Sequence, residues 1–245
     1  MVSYLLFEVR RTLRNPRFLV MTLLMPVMMN IVFVQLNKGR IGDGSAAEFA
    51  SNYMMNMAAF ATVSACLSTA GHRLSQERGS GWFQQLTLTP LTSAQVVLGK
   101  LLSAVSVGVP AVIAVFVTSA LVNGVHLPPA RWALALAVVA VGSFAFSALG
   151  VVIGLLTSGE TSYAASMIAL MFFALLGGLW LPTEILPAWV AKLTTLTPSF
   201  QIADSGRTLI AGGMPGWQTP VVFAAWTAAF GALALAAFRR AARKR

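Results

Sequence analysis

The sequence predicts an all-α integral membrane protein, and three observations carry that prediction. Hydrophobic residues make up 57% of the chain and charged residues 10%, against roughly 25% charged in an ordinary soluble domain. Six apolar runs recur along it, 18–36, 53–70, 96–122, 132–156, 163–181 and 221–238, each near the ~20 residues a helix needs to cross the hydrocarbon core. None shows the period-two alternation of a membrane strand. One membrane domain accounts for the whole length, 1–245.

Residues 1–16 precede the first run. Leu5, Leu6, Val9 and Leu13 alternate with Arg10, Arg11 and Arg14, which at helical spacing gives an apolar stripe and a cationic face. That is the pattern of an amphipathic helix lying in the membrane interface. Asn15-Pro16 ends it, because proline removes a backbone donor and restricts the residue before it. A secretory leader is the competing reading, but the next run is long and no small-residue cleavage site closes it.

With six crossings both termini fall on one side. Of the 17 lysines and arginines, all but Lys38, Arg40, Arg131, Lys192 and Arg207 lie on that side. The positive-inside rule therefore places both termini, and the 71–95 connection, in the cytoplasm. The net charge of +10 is spread over ends and loops, which fits an anionic membrane surface rather than nucleic acid. On the opposite side, Pro187 suits the first turn of a helix and Trp189, Val190, Leu193 and Leu196 repeat at helical spacing until Pro198 stops the pattern. Ser199 is then expected to cap a second short helix holding Phe200, Ala203 and Arg207. The reading is a pair of amphipathic helices between the fifth and sixth spans, dipping into or lying on the outer leaflet.

Several chemistries are missing. The one Gly-Lys pair, Gly99-Lys100, is followed by Leu101, so there is no phosphate-binding G-x-x-x-x-G-K-[ST] loop. There is no H-E-x-x-H or G-x-S-x-G motif, His72 and His126 fall on opposite faces, and Cys66 is the single cysteine. The centres of the six runs hold no acidic, basic or histidine side chain, whereas ion-coupled transporters usually carry one there at a cost of a few kcal/mol. Energy is therefore expected to come from outside the bilayer.

The polar, aromatic interruption at 76–92 is the place for it to arrive. It offers Glu77, Arg78, a Gly-Ser-Gly turn and the Trp82-Phe83 pair, and aromatics are enriched where interfaces concentrate binding energy. A surface helix with Trp82 and Phe83 among lipid head groups is the alternative, although an anionic surface repels Glu77. Glu77-Arg78, Gly81-Trp82, Leu86, Thr89-Pro90 and Gly99-Lys100 together resemble the signature of ABC-2 type exporter permeases. Gly177-Gly178-Leu179-Trp180-Leu181-Pro182, Leu186-Pro187-Ala188-Trp189 and Thr197-Pro198 resemble that family's extracytoplasmic re-entrant region. Gln84 stands where many members carry an acidic residue.

The resemblance implies a multi-pass bacterial plasma-membrane permease that pairs with a second copy or close paralogue and with cytoplasmic ABC ATPases. ATP and magnesium would bind in those ATPases, with no cofactor in this chain. It implies a coupling helix whose docking residues are Glu77, Arg78, Gly81, Trp82, Phe83, Leu86, Thr89 and Pro90. Met25 and Met29 with Asn30, and Met55 with Asn56, offer adaptable apolar surface and hydrogen bonds for a cargo path; helix packing, lipid contact and interhelical bonds are the plainer uses of the same residues. Trp180, Pro182, Glu184, Trp189, Asp204 and Arg207 are candidates for an extracytoplasmic gate, with Asp204 and Arg207 spaced to pair along one helix. Ser143, Ser147, Gly150 and Gly154 form a small-residue face suited to close packing. The expected function is ATP-driven export of a hydrophobic or amphipathic drug, antibiotic or lipid. A channel or scaffold working without an ATPase is the rival reading, and a lipid head-group enzyme lacks the clustered carboxylates it needs.

Overall fold

A computed structural model describes residues 16–38, 43–79, 93–180 and 187–243 of the chain. The interfacial helix expected before Pro16, most of the 76–92 segment, and Pro182 and Glu184 lie outside the described residues. Everything described is helix or short connection, with no strand among the described residues.

Helix α1 (Pro16–Lys38) leads to α2 (Asp43–Cys66), which continues through a π-helical segment, Leu67–Arg73, into α3 (Leu74–Gly79). Then come α4 (Ser93–Leu121), α5 (Pro129–Leu156), α6 (Gly159–Leu176), α7 (Ala188–Thr194), α8 (Pro198–Ala211) and α9 (Gln218–Arg243). By length and composition four are able to cross a membrane: Ala94–Leu121, Pro129–Leu156, Gly159–Leu176 and Gln218–Arg240. Helices α1 and α2 have 23 and 24 residues but carry more polar side chains, including Asn30, Gln35, Glu48, Asn52 and Asn56. The apolar run 53–70 straddles the junction of α2 with the π segment.

Two helices form the centre. Helix α2 packs on α1, α4, α5 and α8, and α5 packs on α4, α8, α9 and the π segment. Met54, Met55, Met57 and Phe60 of α2 and Phe146 of α5 are fully buried. Outward faces stay apolar, as lipid contact requires: Leu24, Met25 and Met28 on α1, Ile168 and Phe172 on α6, and Val221 and Leu233 on α9 are exposed.

The small-residue face of α5 meets the π segment. A Cβ on Gly154 would stand 2.6 Å from the Gly71 carbonyl oxygen and 2.9 Å from that of Ala70; one on Gly150 would stand 2.8 Å from the Ala70 Cβ. Glycines four apart let two backbones approach this closely. Ser147 adds a hydrogen bond to the Cys66 sulfur, 3.3 Å long. The π turn, a feature frequent at functional positions, therefore sits where α2 and α5 are in closest contact.

Helix α6 has 18 residues, about 27 Å at 1.5 Å per residue, whereas α5 has 28, about 42 Å. Helices α7 and α8 occupy the difference. The sequence places a cap at Ser199 and a stop at Pro198; in the structure Thr197 is the cap, accepting from the Phe200 amide, and Pro198 is the first helical residue. Proline is preorganised for that position, where its missing N–H is not needed, so it opens α8 as well as closing α7. Ser199 instead donates to the Phe173 carbonyl at 2.8 Å. Ile202 packs on Gly142, halfway along α5, and at the other end of α8 Arg131 donates to the Ile210 carbonyl at 2.6 Å. Thr219 of α9 bonds Gln201 and Ser205, both at 2.8 Å. Gly212, at φ +91°, supplies the left-handed residue that closes the helix.

Substituting Gly154 by Val should lower the thermal midpoint of the purified protein by the equivalent of about 1–3 kcal/mol, the usual cost of overpacking. Gly231→Ala, where an added Cβ meets nothing within 4 Å, should leave it unchanged or raised. Equal midpoints for the two variants would contradict this packing.

Candidate functional site

Two groups of polar side chains stand at opposite ends of the bundle. At one end the rod formed by α2, the π segment and α3 terminates in Glu77 and Arg78. Glu77 is 5% exposed and Lys100, from the second turn of α4, 6%. The Lys100 Nζ donates to Glu77 Oε2 at 2.5 Å. Arg78 reaches the other way and donates from Nη1 to the carbonyls of Gly154 (3.1 Å), Leu155 and Thr157 (3.4 Å). These are last-turn carbonyls of α5, which lack helical partners and favour a cation.

Adjacent residues thus tie one helix end to two neighbours. The Glu77–Lys100 bond also joins the two flanks of the 80–92 segment. The sequence assigns Glu77 and Arg78 to docking; in the structure both side chains are engaged within the chain. Gly81, Trp82, Phe83, Leu86, Thr89 and Pro90 lie outside the described residues.

At the other end a cavity of about 610 Å³ is lined by Phe33 and Asn37 of α1, Phe49, Asn52, Tyr53 and Asn56 of α2, Gly178, Trp180, and Phe200, Asp204 and Arg207 of α8. That volume lies within the range of small-molecule sites. Tyr53 is stacked between Phe33 (5.4 Å between centroids) and Phe49 (5.9 Å). Arg207 donates to Asn56 Oδ1 at 3.0 Å and to Asp204 Oδ1 at 3.3 Å, with its guanidinium 5.8 Å from the Phe200 ring centroid. Trp180 packs on Phe60 at 5.4 Å. The arrangement offers flat apolar surface, carboxamides and one internally balanced charge pair.

The structure brings Asn56, Trp180, Asp204 and Arg207 together in this cavity and leaves other candidates elsewhere. Met55 is buried against Gly206 of α8. Asn30, fully buried, donates to Ser119 of α4 at 2.6 Å. Met29 packs against the core, Met25 faces outward, and Trp189 is exposed on α7. Sequence reasoning missed Phe33, Asn37, Phe49, Asn52, Tyr53 and Phe200. A signal existed for α2, where Phe49/Tyr53 and Asn52/Asn56 are two i,i+4 pairs on adjoining faces.

Long apolar helices, four of them able to cross a membrane by length and composition, define a polytopic membrane protein. Residues 3–210 match the ABC-2 type transporter family, and the chain belongs to that family. It is also similar to "Putative transport permease YvfS" of Bacillus subtilis (strain 168), with 29% identity over 223 residues, 91% of this chain and 90% of the relative.

Removing one partner of a buried ion pair leaves the other charge uncompensated, at a cost of about 3–5 kcal/mol, whereas replacing both is often near neutral. Lys100→Met should therefore lower the thermal midpoint sharply, and Glu77→Gln combined with Lys100→Met should recover most of the loss. A double variant as unstable as the sum of the two single variants would contradict a coupled pair.

Proposed function

We propose that this permease is the membrane subunit of an ATP-driven exporter for a hydrophobic or amphipathic compound, powered by separate cytoplasmic ABC ATPases and working with a second permease copy. The observation that carries the proposal is the clamp at Glu77 and Arg78. A force applied to the 80–92 segment is delivered at once to α3, to α4 through Lys100 and to the end of α5 through Arg78. Membership of the ABC-2 family, the lack of a phosphate-binding loop in the sequence, and the absence of charge from the middle of the apolar runs support an external source of energy.

In this account Glu77 and Arg78 set the shape of the coupling region, and Trp82 and Phe83 with Gly81, Leu86, Thr89 and Pro90 make the ATPase contact. ATP and magnesium belong to that partner. The cavity at Arg207 is the cargo exit. Its stacked aromatics suit a planar or ring-bearing apolar body, and Asn52, Asn56 and Arg207 suit hydroxyl or carbonyl groups on it. The topology is six spans with α1 and α2 included, both termini cytoplasmic, and α7–α8 re-entrant from the outside. The depth that α8 reaches along α5 supports this last element.

Trp82→Ala with Phe83→Ala should reduce co-purification of the ATPase encoded nearest to this chain by roughly tenfold or more, as loss of interfacial aromatic anchors does, while the permease remains monodisperse. An unchanged complex, or no ATPase bound by the wild type, would favour the channel or scaffold reading.

Orientation has its own test, because Cys66 is buried and leaves the chain without an accessible thiol. Met214→Cys, at a position 91% exposed, should react with a membrane-impermeant maleimide on intact cells. Gln76→Cys should react only after permeabilisation. The reverse pattern would invert the topology.

A further inference from the structure

A second cavity, of about 510 Å³, opens between α5 and α9 at the Glu77 end of the bundle. Its walls are one helical face from each side: Val152 and Leu156 of α5, and Leu233 and Ala236 of α9. Arg78 and Arg240 stand at its end. The spacing 233, 236, 240 places the last of these on the same stripe of α9 as the apolar wall.

The charges are not balanced locally. Arg78 commits Nη1 to the α5 carbonyls, and its Nη2 and Nε make no hydrogen bond among the described residues. Arg240 is exposed and has no carboxylate partner among the described residues. The nearest acid in sequence, Glu77, is held by Lys100. The carbonyl end of α5 repels an anion, but Arg78 already caps it, so among the described residues the field facing the cavity is set by two guanidinium groups. An acyl chain alone would fill the apolar wall without needing them. A soluble anion would satisfy them without using the wall.

We propose that this cavity binds an anionic phospholipid. Its phosphate lies between the free donors of Arg78 and the Arg240 guanidinium, and one acyl chain runs along the groove between α5 and α9. Basic pockets between membrane helices recognise anionic head groups in this way. The site is separate from the cavity at Arg207 and requires only that α5 and α9 contact lipid, so it stands independently of the ATPase and the cargo.

The test uses the full chain purified in mild detergent, mixed with equal amounts of phosphatidylglycerol and phosphatidylcholine, with retained lipid counted by native mass spectrometry. Wild type should retain phosphatidylglycerol in preference to phosphatidylcholine. Arg240→Gln should cut that retention about fivefold, the worth of one arginine at an anionic surface, and Ala236→Trp, which fills the groove, should also lower it, whereas Arg239→Gln on the neighbouring face should change it by less than about twofold. Inorganic phosphate at millimolar concentration should not displace the lipid. Equal retention of the two lipids, equal losses for the Arg240 and Arg239 variants, or displacement by phosphate would overturn the proposal.

Discussion

The structure depends most on the buried ion pair between Glu77 and Lys100. Moving two charges out of water is costly, and their attraction repays that cost only when the geometry is good and the remaining hydrogen-bonding capacity is met. Here the bond is 2.5 Å long and both side chains are nearly inaccessible. A pair of hydrophobic residues would hold the same helices with less risk, so stability alone does not account for it. A directional charge pair instead constrains how the start of α4 meets α3. Arg78 fixes the second neighbour on the next residue.

That end is joined to the opposite cavity by a single helical rod. From Asn56 to Glu77 the chain rises about 31 Å at 1.5 Å per residue, with the π segment between. The π segment is also where Gly150 and Gly154 bring α5 into near-contact. A displacement of the Glu77 end therefore has a short covalent route to Tyr53 and Asn56 on the cavity wall, and a packed route through α5 to Gly142 and α8. Two routes through discrete, tightly packed contacts favour switching between arrangements over gradual bending.

Much of this was legible in the sequence. The apolar runs coincide with helices, and the small-residue stripe on α5 marked a close approach. Periodicity could not reveal the π segment, because its apolar pattern reads as continuous helix; its close contact with Gly150 and Gly154, some 80 residues away along the chain, appears only in the fold. In the sequence the fifth apolar run extends to 181, but α6 closes at Leu176, where Gly177 and Gly178 break the helix. In the sequence Pro198 reads as a stop; its second use, as the first residue of α8, shows only once the chain beyond it is seen to turn. The sequence assigns Glu77 to docking and carries Gly99-Lys100 in the same signature, but spacing alone does not show that Lys100, 23 positions on, donates to Glu77. The cavity residues are spread over α1, α2 and α8, so only folding assembles them.

Under the proposed coupling, α3, the start of α4 and the end of α5 move as one body. In the proposed assembly of two permease copies with their ATPases, pulsed electron-spin distances between labels at Gln76 and Leu156, compared with distances between Leu156 labels on the two copies, test it with and without ATP. Rigid-body motion gives an unchanged distribution within one copy and a shifted one between copies. A change within one copy, with the distance between copies constant, would contradict it.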